Sequence, residues 1–356
     1  MAGLANTLTQ NLRTQYPSNL DKYEDRLSQY GAWELFKMDT TSPESTITPD
    51  VIAQAQLSMG NTLQIPVIDG DDVTIGNART CTIADYENVS NLITVTFVTY
   101  QFGFTMVPAS YQNNDIKYEA DFNRKLLKYL KKFAATLDSA AIAKLEADKT
   151  QVMNSAFVGL GSKYGALVGN AVQVTDAQRN FFFNDLSSIM AEDDFYGRYN
   201  VLGSQTLRPT VLEYANQGAA NGTNTAFQFG EYDFGYSNRV TVDTVGGKAA
   251  TLYAMPKGTM ATFNRNEPDA LAGSMINSEN YWETVRVPIV DLDMGVHYFK
   301  ECADNSGING GSGAAHLTGS MKETFIWSTD VAFITSYNSD PVANAGAIFK
   351  AEIAAS

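Results

Sequence analysis

A histidine, a glutamate and a cysteine fall close together in His297-Tyr-Phe-Lys-Glu301-Cys302. These residue types ligate zinc or pass protons in acid–base catalysis. Their spacing matches no usual zinc motif, and an extended segment would scatter them over two faces. The other histidine, His316, sits in a glycine-rich stretch where a solvated side chain is the default. Gly159, Gly161 and Gly165 resemble a phosphate loop, but the third glycine comes one place late for the dinucleotide fingerprint. No Gly-Lys-Ser/Thr ending follows them, and no G-x-S-x-G elbow occurs anywhere. Asp69, Asp71 and Asp72 around Gly70 lack the remaining ligands of a calcium loop and read as a turn. Cys81 and Cys302 support neither a disulfide framework nor a cysteine-rich metal site. The expectation is a protein that is not an enzyme, with no catalytic residues, no metal and no cofactor.

One charged constellation remains. Arg124, Lys125, Lys128, Lys131 and Lys132 crowd one side of a helical stretch. Such a run is either a solvated face or a weak, sequence-blind contact for nucleic acid or an acidic segment. Net charge is −14, from 39 acidic and 25 basic residues, which disfavours a sequence-reading nucleic-acid binder.

The elements that must carry these residues can be read from periodicity. Between Ala109 and Val158 there is no Gly or Pro. Phe122, Leu126, Tyr129, Leu130, Phe133 and Leu137 recur at helical spacing, so a helix is predicted from a cap at Asp115 to about Asp148. Before it, Leu63, Ile65 and Val67, then Ile93, Val95 and Phe97, alternate with period two. They read as two strands flanking a polar middle from Asp69 to Asn91, a hairpin that projects. The first 60 residues, with a small cluster at Trp33, Leu35 and Phe36, read as an extended arm with a short helix that lies on a neighbour.

Thr175-Asp-Ala-Gln178 is a capping box opening a helix through Phe182, Leu186 and Met190. Strands are predicted at Arg198 to Gly203, Val240 to Val242, Thr251 to Met255, Tyr281 to Val287, Glu323 to Tyr337 and Ala347 to Ile353, with a short helix from Pro209 to Tyr214. Helices and strands mix without a βαβ rhythm, so the fold class is α+β. With 44% hydrophobic and 18% charged residues the chain is globular. No apolar run approaches the roughly 20 residues of a membrane helix, and the N-terminus lacks a signal-peptide pattern. A cytoplasmic site of synthesis is expected.

The order of these units resembles the major capsid proteins of tailed bacteriophages with the Hong Kong 97 phage fold. Tyr118-Glu-Ala-Asp-Phe-Asn-Arg-Lys-Leu-Leu through Leu137-Asp-Ser-Ala-Ala-Ile is similar to that family's spine helix. Ser187-Ser-Ile-Met-Ala-Glu-Asp-Asp-Phe-Tyr-Gly-Arg-Tyr-Asn-Val-Leu-Gly resembles the helix-into-strand of its axial domain. Leu252-Tyr-Ala-Met-Pro-Lys-Gly and Trp327-Ser-Thr-Asp-Val-Ala-Phe-Ile-Thr-Ser-Tyr resemble later strands. The resemblance implies an N-terminal arm at 1–60, an extended loop at 61–108 and a peripheral domain with the spine helix at 109–174. It further implies an axial domain at 175–285 and a return to the peripheral domain at 286–356, with a glycine-rich loop at 304–320.

It also implies a virion shell of hexamers and pentamers around double-stranded DNA, assembled in a bacterial cytoplasm. The partners implied are other copies of the chain, a portal protein, a separate scaffolding protein and a decoration protein, with no membrane. Leu63, Ile65, Val67, Ile93 and Val95 would then contact a neighbouring subunit, and the basic face would line the interior. Two departures from the family matter. No lysine lies between Lys37 and Lys117, so cross-linking from the loop is not expected. With only about 60 residues ahead of the hairpin, no maturation cleavage is expected either. An encapsulin-like compartment is the alternative within the fold, and a tail-tube or baseplate protein the alternative outside it.

Overall fold

The computed structural model describes residues 3–19, 30–43, 45, 49–57, 60–69, 89–112, 117–149, 164, 168–192, 195–212, 231–302, 320–336 and 346–355. Three sheets organise them. The first is a two-stranded antiparallel hairpin of β1 (Thr62–Asp69) and β2 (Val89–Thr96). The second contains β3 (Val98–Met106), β8 (Met260–Arg265), β9 (Met275–Asn277), β10 (Asn280–Val287), β11 (Leu292–Cys302) and β12 (Met321–Thr335). Its order is β3-β12-β11-β10-β9, with β8 also paired to β12. The third is ordered β4-β13-β7-β5-β6, from β4 (Val172–Val174), β5 (Tyr199–Ser204), β6 (Tyr232–Ser237), β7 (Lys248–Pro256) and β13 (Phe349–Ala354).

The helices are α1 (Leu4–Asn19), α2 (Gly31–Thr40), α3 (Pro49–Leu57), α4 (Tyr118–Asp148), α5 (Asp176–Glu192) and α6 (Pro268–Ala272). The longest, α4, has 31 residues and spans about 46 Å at 1.5 Å per residue. Its stripe Phe122, Leu126, Leu130 and Leu137 is fully buried against Phe104, Phe325 and Trp327 of the six-stranded sheet. Burying each such side chain contributes about 1.5–3 kcal/mol, and this stripe is what holds so long a helix on its sheet. Farther along, Ala141, Ile142 and Leu145 leave that core and join α2, Leu202 and Met255 at the five-stranded sheet. One helix thus packs against both sheets. Its cap differs from expectation: the residue before the helix is Lys117, which makes no side-chain cap, and Asp115 lies outside the described residues.

The N-terminal stretch departs most from its reading as an extended arm. Trp33 and Phe36 of α2 have no exposed surface, and α1 buries Ala5, Leu8 and Leu12 on α4 and β10. Two carboxylates fix α2. Asp138 of α4, fully buried, accepts hydrogen bonds from the Ala32 and Trp33 N–H groups at 2.9 and 3.2 Å and from the Ser237 hydroxyl at 2.5 Å. It caps the helix from another element, because Tyr30 at the N-cap position offers no side-chain bond. At the other end Asp39 accepts from Asn200 Nδ2 (2.9 Å) and from the N–H groups of Gly258 (2.8 Å) and Met260 (3.0 Å). The apolar cluster at Trp33 to Phe36 is therefore a core element of this chain, placed where both sheets meet.

Several strands also fall outside the stretches expected for them. β3 falls within the stretch expected as extended loop, yet it pairs along its length with β12. β8, β9 and most of β10 lie within the expected axial stretch 175–285 but belong to the sheet of β3. Conversely β13, expected in the returning stretch 286–356, pairs with β7 and, in parallel, with β4. Residues 240–242 are not a strand; the pairing goes to β6, whose Tyr232–Ser237 was not predicted. α5 opens as expected, with Gln178 Oε1 accepting the Thr175 N–H at 2.9 Å.

Candidate assembly surfaces

The hairpin stands as a sheet of its own, with eight residue pairs from Thr62↔Thr96 to Asp69↔Val89. Leu63 faces Val95 and Ile65 faces Ile93 across the strands. Both pairs turn towards their own chain. Val95 is buried, and Leu63, Ile65 and Ile93 pack with it against Val51, Ile52 and Ala55 of α3, Phe263 of β8 and Ile334 of β12. These four residues thus seat the hairpin on its own body, with Leu63, Ile65 and Ile93 still partly exposed. Val67 pairs with Asn91 through the backbone, and its side chain lies outside the described residues. The reverse face is the exposed one: Thr62, Gln64, Pro66, Leu92, Thr94 and Thr96, all uncharged. Leu92 is 62% exposed. Period-two alternation separates two faces but does not say which meets the body.

An ion pair between the buried Arg265 and the half-buried Asp330 fixes the foot of the hairpin. Arg265 donates from Nε to Asp330 Oδ2 at 3.0 Å and from Nη1 to the Gly60 carbonyl at 2.5 Å, and its guanidinium lies 4.2 Å from the Phe97 ring centre. Asp330 Oδ1 also accepts the Thr99 hydroxyl at 2.6 Å. Stem, sheet and hairpin are tied at one point, and breaking such a pair leaves a buried charge unmatched. Nothing in the spacing of these residues signalled the pair, since its members are 65 positions apart.

The five basic residues of α4 do share the side opposite its buried stripe. Arg124, Lys128 and Lys132 are exposed, and Lys125 and Lys131 half-buried. Two of the five are engaged by Asp121. Arg124 Nη2 lies 2.9 Å from Asp121 Oδ1 and Lys125 Nζ 3.1 Å from Oδ2. Burial alone would raise the Asp121 carboxyl, but the Tyr111 hydroxyl, Lys125 and Arg124 outweigh it and hold the group below the usual carboxylate range. Lys125 also reaches the Thr105 carbonyl of β3 at 3.2 Å. The outward positive field is therefore concentrated around Lys128 and Lys132.

Of the residues singled out for chemistry, His297, Glu301 and Cys302 are described, and they form no common site. The His297 ring stacks on Trp282 with centres 4.1 Å apart, and its Nε2 lies 2.9 Å from Asn280 Oδ1. Burial lowers its basicity, favouring the neutral ring. Glu301 and Cys302 are exposed at the end of β11, where Glu301 pairs with Lys322 at 2.6 Å. Among the described residues no three His, Cys, Asp or Glu side chains are grouped to hold a metal ion. Among them, too, no helix is long and apolar enough to cross a membrane. Cys81, Asp71, Asp72, His316 and the Gly159, Gly161 and Gly165 run lie outside the described residues.

No family model matches the sequence, and no curated protein matches it. Among solved structures the chain is similar to one of Mycobacterium phage Che8, at 11% identity over 86% of this chain and 88% of that one, with a TM-score of 0.48. It is similar also to a chain of the bacteriophage PhiM1 mature capsid, at 12% identity over 83% and 82%, TM-score 0.45. A third likeness is to the capsid of a native GTA particle, at 12% identity over 88% and 95%, TM-score 0.44.

Proposed function

We propose that this chain is a structural, non-enzymatic major capsid subunit of a tailed phage, which assembles with its own copies into hexamers and pentamers of an icosahedral shell around double-stranded DNA. The observation that carries the reading is the arrangement around α4. A 31-residue helix lies on one sheet and reaches the next, and a hairpin stands out as a separate two-stranded sheet. An isolated hairpin is marginal in water, and an element of that kind with an uncharged, exposed outer face is suited to burial on a neighbour. In this reading the six-stranded sheet with most of α4 is the peripheral lobe, the five-stranded sheet with α5 the axial lobe, and the hairpin the extended loop. The boundaries expected from sequence shift accordingly. β3, β8, β9 and β10 go to the peripheral lobe and β13 to the axial one.

The shell is held by noncovalent contacts or by a decoration protein. Scaffolding comes from a separate protein and a portal occupies one vertex. The α4 basic face supplies a weak, salt-sensitive contact with packaged DNA or an acidic scaffold segment. Negative-stain microscopy of the expressed chain with its candidate scaffold tests the proposal. Closed icosahedral shells are expected; open tubes or discrete monomers would refute it.

A further inference from the structure

Pro288, Ile289, Val290 and Asp291 join β10 to β11, and the backbone there is strained. The Val290 N–H donates to the Pro288 carbonyl, two residues back, at 2.9 Å, and Ile289 between them has φ +72°. This is a γ-turn of the rare, unfavourable hand. Its central residue is β-branched, the type least tolerant of positive φ, because the crowded Cβ meets the following carbonyl. Asp291 follows at φ +51°. Two left-handed residues thus fall within three positions, and neither is glycine.

Two forces hold the turn in this shape. From within, Ile289 and Val290 are 7% and 0% exposed, packed in the core that α4 shares with the six-stranded sheet. From without, Lys37 in the last turn of α2 clamps it. The ammonium donates to the Val290 carbonyl at 3.4 Å, the Asp291 carbonyl at 2.9 Å and Asp291 Oδ2 at 2.8 Å. All three donor hydrogens of the lysine are thereby committed to one turn. Arg286 of β10 holds the other carboxylate oxygen, Nε to Asp291 Oδ1, at 2.9 Å. Lys37 is placed in turn by its own helix end. Asp39 is anchored to Asn200, Gly258 and Met260, and the Thr40 hydroxyl accepts the Thr262 N–H at 2.8 Å.

We infer that the β10–β11 turn is a sprung latch, held shut by Lys37 and opened by withdrawal of the C-terminal end of α2. The inference goes beyond the capsid reading and stands without it. Backbone strain favours opening; the ammonium and the burial of two apolar side chains oppose it. Once α2 shifts, the clamp is lost, Ile289 returns to negative φ and the Pro288–Val290 hydrogen bond breaks. Ile289 and Val290 then come out to solvent, so the closed latch hides an apolar pair until α2 moves. A shift of that kind has a route to α2, because the chain runs from it into α3, on which the hairpin is seated.

The test uses the full, unassembled chain. Lys37→Met keeps a side chain of similar length and removes the charge. It is expected to speed hydrogen exchange at the Val290 amide about tenfold or more while amides in the middle of β10 and β11 keep their wild-type rates. Lys37→Arg, which retains a cation with several donors, is expected to stay close to wild type. A thiol gives a second readout. Val290→Cys in a Cys81→Ser, Cys302→Ser background is expected to resist a maleimide while Lys37 is present, and to react about tenfold or more faster once Lys37→Met is added. Unchanged exchange at Val290, or a thiol labelled equally fast with and without Lys37, would overturn the latch. So would Lys37→Arg behaving like Lys37→Met, or acceleration spread evenly along β10 and β11, which marks general unfolding.

Discussion

Replacing Asp138 by alanine removes the shared acceptor of the Ala32 N–H, the Trp33 N–H and the Ser237 hydroxyl at a site with no exposed surface. Each donor stranded without water costs about 1–3 kcal/mol, and loss of a helix N-cap is worth about 0.5–2 kcal/mol. These overlap, because two of the donors are the cap itself. Arg239, whose Nη1 lies 3.5 Å from Asp138 Oδ2, loses a weak partner as well. The expected destabilisation is about 3–5 kcal/mol, a large share of the ~5–15 kcal/mol by which a typical protein is stable. Asp138→Asn retains one acceptor oxygen and is expected to lose about half as much. Urea unfolding of the unassembled chain at low concentration, followed by tryptophan fluorescence, is the right assay. Assembly would otherwise add mass-action stability, and Trp33 sits directly on the perturbed helix end. The midpoint should move with the slope unchanged. An Asp138→Ala midpoint within about 1 kcal/mol of wild type would refute the claim that this carboxylate fixes α2 between the sheets.

Three further outcomes are expected. Val95→Asp should unseat the hairpin from Phe263 and Ile334, cost about 2–4 kcal/mol through a buried unpaired charge, and expose the β1–β2 amides to hydrogen exchange; unchanged protection there would count against the packing. The Asp291 carboxyl is held down to about 2 from 3.8, chiefly by Arg286 with help from Lys37. Its stabilising contribution should be present above pH 3.8 and fade as pH falls towards 2. Since its side chain is 52% exposed, the effect should stay under about 1 kcal/mol, and Asp291→Asn should flatten that part of an acid titration. The double change Lys128→Gln, Lys132→Gln should leave chain stability within about 0.5 kcal/mol while lowering the salt concentration at which DNA leaves opened particles; an unchanged salt threshold would return these lysines to a plain solvated face.

Much of the local structure was legible in the residues. The absence of Gly and Pro from Ala109 to Val158, with apolar residues every three or four positions, specified α4 because a helix is built from contacts within one turn. The Thr175–Gln178 box specified the start of α5 for the same reason. Alternation identified β1 and β2. The basic face of α4 followed from the same helical period.

What the tertiary structure alone decided was pairing across long separations and the side each element turns inward. Leu63 and Val95 alternate as a strand must, but which way that face turns depends on α3, just ahead of the hairpin, and on β8 and β12, contributed by a distant part of the chain. Trp33 and Phe36 read as a small satellite cluster until Asp138 and Asn200, more than a hundred residues away, close on both ends of α2. β13 lies beside β4 and β7, far from its neighbours in sequence, because hydrogen bonding between strands carries no record of chain distance. Local spacing determines which elements form. The burial of charges and apolar faces, summed over the whole chain, determines how they are placed.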